Sequence, residues 1–261
     1  MNSPQLLSRL DWALAQSASW RPPGGGRLAG EPRLVKPLLG GLSNHSWLVD
    51  TSAGLAVLRL NAAADAAFAV DRRRELLIHR AVAELGIAPR VWWASSESGV
   101  LVRGFCPGRV WTAADFGDAA SRRRLLAVLD RIQRLALPLA RFDYWGHICH
   151  YLAQLDALGV AVPGDLAATL ADEGEAIMAF QRAPWRPVLV HQDLNPANIV
   201  DTGAELALID WEYAALGHPA MDLHQLGLAP EAGIPLPPAL PAVINALWSL
   251  LSQALARSTT P

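Results

Sequence analysis

The rhythm of apolar and polar positions changes once along the chain. Up to Arg103 it is mostly alternation. Arg33–Leu38, Ser46–Asp50 and Leu55–Leu60 have the period-two pattern of half-buried strands, with Gly40-Gly41 and Ser52-Ala53-Gly54 as the turns between them. Val91–Ala94 and Val100–Arg103 form a second strand pair around Glu97-Ser98-Gly99. Between the two groups, Asp71–Leu85 reads as a helix. Its Leu77, Ile78, Ala81, Val82 and Leu85 fall on one side, and Gly86 ends it. Ahead of the strands, Leu6, Leu7, Leu10 and Leu14 mark Pro4–Ala18 as an amphipathic lead-in helix, closed by the loop Pro22–Gly26.

Beyond Phe105-Cys106-Pro107-Gly108 the spacing becomes helical. Ala119–Leu137, His147–Leu158, Asp165–Arg182 and Pro238–Arg257 are the predicted helices. The only strand-like elements expected there surround the segment His191–Asp210. This pattern predicts an α+β, bilobal fold: a small N-terminal antiparallel sheet with one main helix, then a mostly helical C-terminal lobe. The expected divisions are residues 1–29 for the lead-in helix and loop, 30–104 for the sheet lobe and 105–261 for the helical lobe.

Composition narrows the class. With 52% apolar residues in 261 there is ample material for a core. Against 24 acidic residues stand 22 basic ones, so no global field draws nucleic acid or an anionic membrane. Cys106 and Cys149 make no disulfide framework and suit a reducing compartment. Arg9 and Asp11 interrupt any leader-like apolar run, and no uninterrupted apolar stretch is long enough for a bilayer. The expectation is a soluble cytoplasmic protein with neither a nucleic-acid nor a membrane partner. His147, Cys149 and His150 lie close together, but no second pair completes a tetrahedral zinc set. The runs Arg72–Arg74 and Arg122–Arg124 read as solvated helix faces rather than phosphate grips.

The chemistry concentrates in His191-Gln192-Asp193-Leu194-Asn195-Pro196-Ala197-Asn198 and in Asp210. Phosphoryl transfer needs a base aimed at the attacking hydroxyl and oxygen ligands that hold Mg²⁺ against the phosphates. Asp193 suits the first task, and Asn198 with Asp210 the second. Ile199–Asp201 and Glu205–Ile209 read as strands around Thr202-Gly203-Ala204, a hairpin that would set Asn198 beside Asp210. An isolated His-x-Asp could be a capped turn; the loop, the hairpin and the second Asp together point to the H-x-D-x-x-x-x-N catalytic loop and metal loop of kinases.

The sheet lobe supplies matching parts. Gly40-Gly41-Leu42-Ser43-Asn44 lies between two strands, so Gly41, Ser43 and Asn44 could close over phosphates. It fits neither the Walker A pattern nor G-x-G-x-x-G. A cation on the third strand, held by a helix glutamate, should grip the phosphates. The one lysine, Lys36, precedes the glycine turn, which leaves Arg59 with Glu75 as its partner. The connection at Arg103–Phe105 is the expected seat of the adenine.

In order, these residues resemble the aminoglycoside phosphotransferase and choline kinase superfamily. The resemblance is carried by residues 40–47, Val57-Leu58-Arg59-Leu60, Arg74-Glu75, His191–Asn198 and Ile209-Asp210-Trp211-Glu212-Tyr213-Ala214. Gly217-x-Pro219 and Asp222-Leu223 follow as in that superfamily, and the likeness spans about residues 30–225. Within it, choline/ethanolamine kinases and bacterial thiamine kinase are the most similar. The resemblance implies a protein-kinase-like fold, ATP and Mg²⁺ as cofactors, and transfer to a small alcohol. Only eleven residues separate Asp210 from Asp222, too few for an activation segment that presents a peptide. Trp211, Glu212 and Tyr213 offer rings and charge beside Asp193, which favours a cationic alcohol such as choline, ethanolamine or thiamine. An aminoglycoside or amino-sugar kinase and a catalytically silent nucleotide-binding regulator are the rival readings. The 39 residues after Asp222 form a shorter tail than in the related kinases. Part of the acceptor pocket would then be missing, rebuilt from Tyr144-Trp145, or supplied by a second subunit in a homodimer.

Overall fold

The computed structural model describes residues 3–38, 44–62, 64–228 and 233–258. The chain separates into two compact units. One comprises residues 1–65, 71–132 and 193–214, the other residues 66–70, 133–192 and 215–261.

The first unit is built on a five-stranded antiparallel sheet: β1 (Arg33–Leu38), β2 (His45–Thr51), β3 (Gly54–Leu60), β4 (Val91–Ser95) and β5 (Val100–Gly104), in the spatial order β1-β2-β3-β5-β4. Each strand expected from alternation is present to within about two residues at its ends. Alternation also divides the faces. Ala56, Leu58 and Leu60 of β3 join Val49, Val100 and Val102 in one buried cluster, closed by Leu10, Ala13 and Trp20. Leu10 and Ala13 belong to α1 (Ser3–Ala15), which is followed by a 3-10 turn, Gln16–Ser19. The lead-in helix therefore contributes to the core of this unit. The Arg9 fork secures it with hydrogen bonds to the carbonyls of Asn61 and Ser98.

The opposite face of the sheet carries Val57 and Arg59, whose cross-strand partners are Arg103 and Leu101. The helix α2 (Arg72–Glu84) supplies buried Glu75, Ile78, His79 and Val82. It starts where Asp71 accepts hydrogen bonds from the backbone N–H groups of Arg73 and Arg74, both at 3.0 Å, satisfying two orphan donors of the first turn.

The first unit extends well past the connection that follows β5. Arg109–Val110 pairs with Ile199–Asp201, which in turn pairs with Leu206–Leu208. Leu208 N–H donates to Ile87 O at 2.7 Å, tying this hairpin to the end of α2.

His79 supplies a stability test. It is 3% exposed, and its Nε2 is 2.8 Å from Pro89 O. Burial, aided by the Arg103 charge, lowers its pKa to about 4 against the opposing pull of that carbonyl. Below pH 6.5 the unfolded chain therefore takes up a proton that the folded chain refuses. Stability should fall between pH 6.5 and 4, by roughly 3 kcal/mol from this group alone. Denaturant unfolding of wild type and His79→Gln across that window should show a shallower decline in the variant. Parallel curves would refute the assignment.

In the second unit the helices Tyr144–Ala157, Gly164–Arg182 and Ala239–Ser258 pack together. The helix expected at Ala119–Leu137, which lies in the first unit almost to its end, stops at Gln133. Val188–Val190 pairs with Ala215–Gly217, a two-stranded ladder absent from the expectation. Residues 239–257 are long and apolar enough to cross a bilayer by length and composition, with Asn245, Ser249, Ser252 and Gln253 interrupting the apolar run. Leu240, Val243, Leu247 and Leu251 form a buried stripe at helical spacing on that helix. Fully buried Asp222 accepts hydrogen bonds from the N–H groups of His191 and Gln192, at 2.8 and 2.9 Å. These bonds pay for its burial and fix the backbone that leads into the Asp193 loop.

Candidate active site

The turn after Asp193 is set by its own side chains. Asn195 caps a 3-10 turn, Pro196–Asn198, by accepting from Ala197 N–H at 3.0 Å, with proline at the first position where no donor is needed. The Asp193 carboxylate accepts from Asn195 Nδ2 at 3.0 Å and from Asn198 Nδ2 at 2.8 Å. Asn198 Nδ2 also reaches Asp193 O at 2.9 Å, so the amide is pinned and its oxygen points away from the aspartate. Burial raises the Asp193 pKa, and the two amide hydrogen bonds hold that rise in check.

Ile209 N–H donates to Asn198 O at 2.9 Å, closing the open end of the hairpin and placing Asp210 beside Asn198. Asp210 has φ +66°, a left-handed conformation that costs a non-glycine residue on the order of 1 kcal/mol or more. Its Oδ1 is buried without a hydrogen bond among the described residues. Burial, with the neighbouring Glu212 charge, pushes its pKa up to about 7 despite Arg59, whose Nη1 is 3.6 Å away. The fold thus holds a buried carboxylate in a left-handed backbone with one long ion pair, to Arg59, and no hydrogen bond to Oδ1 among the described residues.

Arg59 and Glu75 meet at 2.6 Å, and Arg59 Nε donates to Asn61 Oδ1 at 3.2 Å. Glu75 is 3% exposed. Burial alone would raise its pKa, but Arg59 and then Arg72 outweigh that and hold it below the usual range.

Arg72 is the residue that sequence reasoning missed. Its side chain is 9% exposed and ion-paired to Asp65, Glu75 and Glu212. Nη1 lies 2.8 Å from both Glu75 Oε2 and Glu212 Oε2, and Nη2 donates to Asn44 Oδ1 at 2.9 Å. Burial works against its charge, but Asp65, Glu75 and Glu212 keep the proton affinity above the ordinary arginine value. Neither a solvated face nor a phosphate grip describes it. The Arg72/Glu75 spacing of three at a helix start was the available signal. In the second arginine run, Arg124 forks onto Asp201 at 2.6 and 2.9 Å, holding the hairpin from outside.

The remaining predicted positions fall differently. Gly41 and Ser43 lie outside the described residues. Asn44 donates to Glu212 Oε2 at 2.8 Å, so this end of the glycine turn is tied to the segment after Asp210. Trp211 is fully buried with Nε1 bonded to Leu208 O, and Glu212 is 3% exposed and paired with Arg72. Of the residues expected beside an acceptor, one ring is thus packed inward and one carboxylate is ion-paired. Tyr213 keeps partial exposure. At the connection, Phe105 N–H is engaged by Leu55 O and Gly104 N–H by Arg90 O, both at 2.9 Å. Arg103 Nη1 donates to Gly104 O at 3.3 Å.

The model of the phosphotransferase enzyme family matches residues 34–253. The chain belongs to that family. It is a small-molecule phosphotransferase. Solved structures similar to it include a choline/ethanolamine kinase family protein from Mesorhizobium loti, 22% identical, with 96% of this chain and 88% of that one covered and a TM-score of 0.63. Choline kinase LicA from Streptococcus pneumoniae is 16% identical over 88% of both chains, with a TM-score of 0.67. A thermostable mutant of aminoglycoside phosphotransferase APH(4)-Ia, solved with AMP-PNP and hygromycin B, is 19% identical over 76% of this chain and 71% of that one, with a TM-score of 0.56. At these identities the likeness establishes a protein-kinase-like α+β fold. No curated protein matches the phosphotransferase.

Proposed function

We propose that the protein transfers a phosphoryl group from a Mg²⁺-bound nucleoside triphosphate to the hydroxyl of a small, amine-bearing alcohol. The observation that carries this reading is Asp193. Its carboxylate is oriented by two amides, its pKa is raised by burial, and it is close enough to Asp210 for their charges to interact. Such a group can accept the proton of an attacking hydroxyl.

The donor set fits Mg²⁺. Among the described residues no three His, Cys, Asp or Glu side chains form a metal cage. Mg²⁺ instead favours one or two protein oxygens plus substrate phosphates. Asp210, with its unpartnered buried oxygen, and the Asn198 amide oxygen are the residues that would hold it. When bound, the ion would offset charge on the phosphates and add to the counter-charge that Arg59 supplies to Asp210. Arg59, braced by Glu75, binds phosphate oxygens; Asn195 and Asn198 keep Asp193 aimed at the acceptor. The nucleotide reading gains support from structural relatives solved with AMP and with AMP-PNP.

The preference for a cationic acceptor rests on the Asp193 and Asp210 carboxylates and on Tyr213. Arginine and lysine are also missing between Arg186 and Arg257. Choline-type, thiamine-type and aminoglycoside acceptors share this chemistry. A nucleotide-consumption assay with choline, ethanolamine, thiamine, kanamycin and N-acetylmuramate, run with ATP and with GTP, tests it. Turnover is expected with an amine-bearing member. Selective phosphorylation of the acidic sugar, with every cation inert, would overturn the acceptor class.

A further inference from the structure

Arg103 closes β5 on the face of the sheet that also carries Arg59, opposite Val57. It lies within charge range of Arg59, Asp210, Glu75 and Cys106, between the phosphate-binding pair and the connection after β5. Its neighbours in charge are well matched: Arg59 has Glu75, and Arg72 has three carboxylates. Among the described residues Arg103 has no ion-pair partner, and its one hydrogen bond is the 3.3 Å contact from Nη1 to Gly104 O. Burial and the Arg59 charge lower its pKa to about 10, which leaves it cationic at neutral pH. A part-buried guanidinium is thus held with Nε and Nη2 uncommitted among the described residues and within reach of an incoming acceptor.

We propose that Arg103 reads the base of the nucleotide, and that the protein binds 6-oxopurine triphosphates such as GTP and ITP more tightly than ATP. The inference rests on the nucleotide site proposed above. With the phosphates at Arg59 and Asp210, the base extends along the same sheet face past Val57 toward residues 104–106. The edge it presents to Arg103 decides the fit. Guanine and hypoxanthine offer O6 and N7, two acceptors spaced for a guanidinium fork. Adenine offers N7 but places its 6-amino donor where O6 would be. A guanidinium has donors only, so Arg103 offers the 6-amino group of adenine no acceptor. Leaving a built donor without its acceptor is what makes polar sites discriminate strongly.

Competition binding on the full chain, with Mg²⁺ and GTP, ITP or ATP against a fluorescent GDP analogue, tests this. GTP and ITP should bind on the order of tenfold more tightly than ATP, and similarly to each other, since they share the O6/N7 edge. Arg103→Met should erase the preference by weakening GTP and ITP while ATP changes little. Arg103→Lys, which keeps the charge but loses the fork, should fall between them. The wild-type series is decisive even if a variant fails to fold. ATP bound as tightly as GTP or more so would overturn the inference and leave the kinase reading intact, as would an Arg103→Met variant that keeps the preference. Failure of every nucleotide to bind would overturn both.

Discussion

Asp193→Asn should lower kcat by about 10²–10⁴ while Mg²⁺-nucleotide affinity stays within roughly twofold of wild type. The side chain is held by two amide donors and takes part in no contact with Arg59 or Glu75. Its loss removes the proton acceptor and leaves the phosphate-binding residues in place. Asparagine matches the aspartate in shape but presents an amide to the Asn195 and Asn198 donors, so an unfolding curve should accompany the kinetics. Steady-state rates on the acceptor found by the panel, with calorimetry for the nucleotide, separate the roles. Wild-type kcat in a folded variant would remove Asp193 from the chemistry.

Asp210→Asn should do the reverse at the level of binding. Asparagine tolerates the left-handed backbone, so the substitution removes charge without adding strain. Mg²⁺-nucleotide affinity is expected to fall at least about tenfold, with kcat, because the carboxylate that would share the ion with the phosphates is gone. Without Mg²⁺ the two proteins should bind nucleotide alike. The free variant should unfold at the same temperature as wild type or higher, since the carboxylate it loses is buried, left-handed and pushed up in pKa by its surroundings. Unchanged Mg²⁺-dependent affinity together with a fall in stability would make Asp210 a structural residue.

Much of the first unit was legible because its strands are long enough for alternation to repeat, and because Asp71 and Gly86 bracket α2 in plain chemistry. The hairpin that joins Asn198 to Asp210 was legible for the same reason, with Thr202-Gly203-Ala204 as its turn. Three-residue strands with distant partners carry no such period. Val188–Val190 and Ala215–Gly217 find each other through register, which adjacency in sequence does not encode. Direction was lost in the same way at Trp211 and Glu212. From sequence alone, neighbours of the candidate Asp210 are read as facing an acceptor; the backbone turns one ring into the core and one carboxylate toward Arg72. Arg72 itself was hidden by its own charge. A run of three arginines at a helix start is ordinarily solvated, and the three carboxylates that bury this one lie at positions 65, 75 and 212.

That cluster around Arg72 limits how the enzyme can be redesigned. Glu212 follows Asp210 by two residues and would be an obvious place to retune acceptor choice. Any neutral residue there would remove one of the three carboxylates around a buried guanidinium and the acceptor of the Asn44 amide, so a loss of stability would accompany whatever the new side chain offered the acceptor. Libraries aimed at acceptor scope would do better to hold positions 44, 65, 72, 75 and 212 fixed as one block. Diversity is better spent at partly exposed positions such as Tyr213, where a change of side chain leaves that buried charge balance intact.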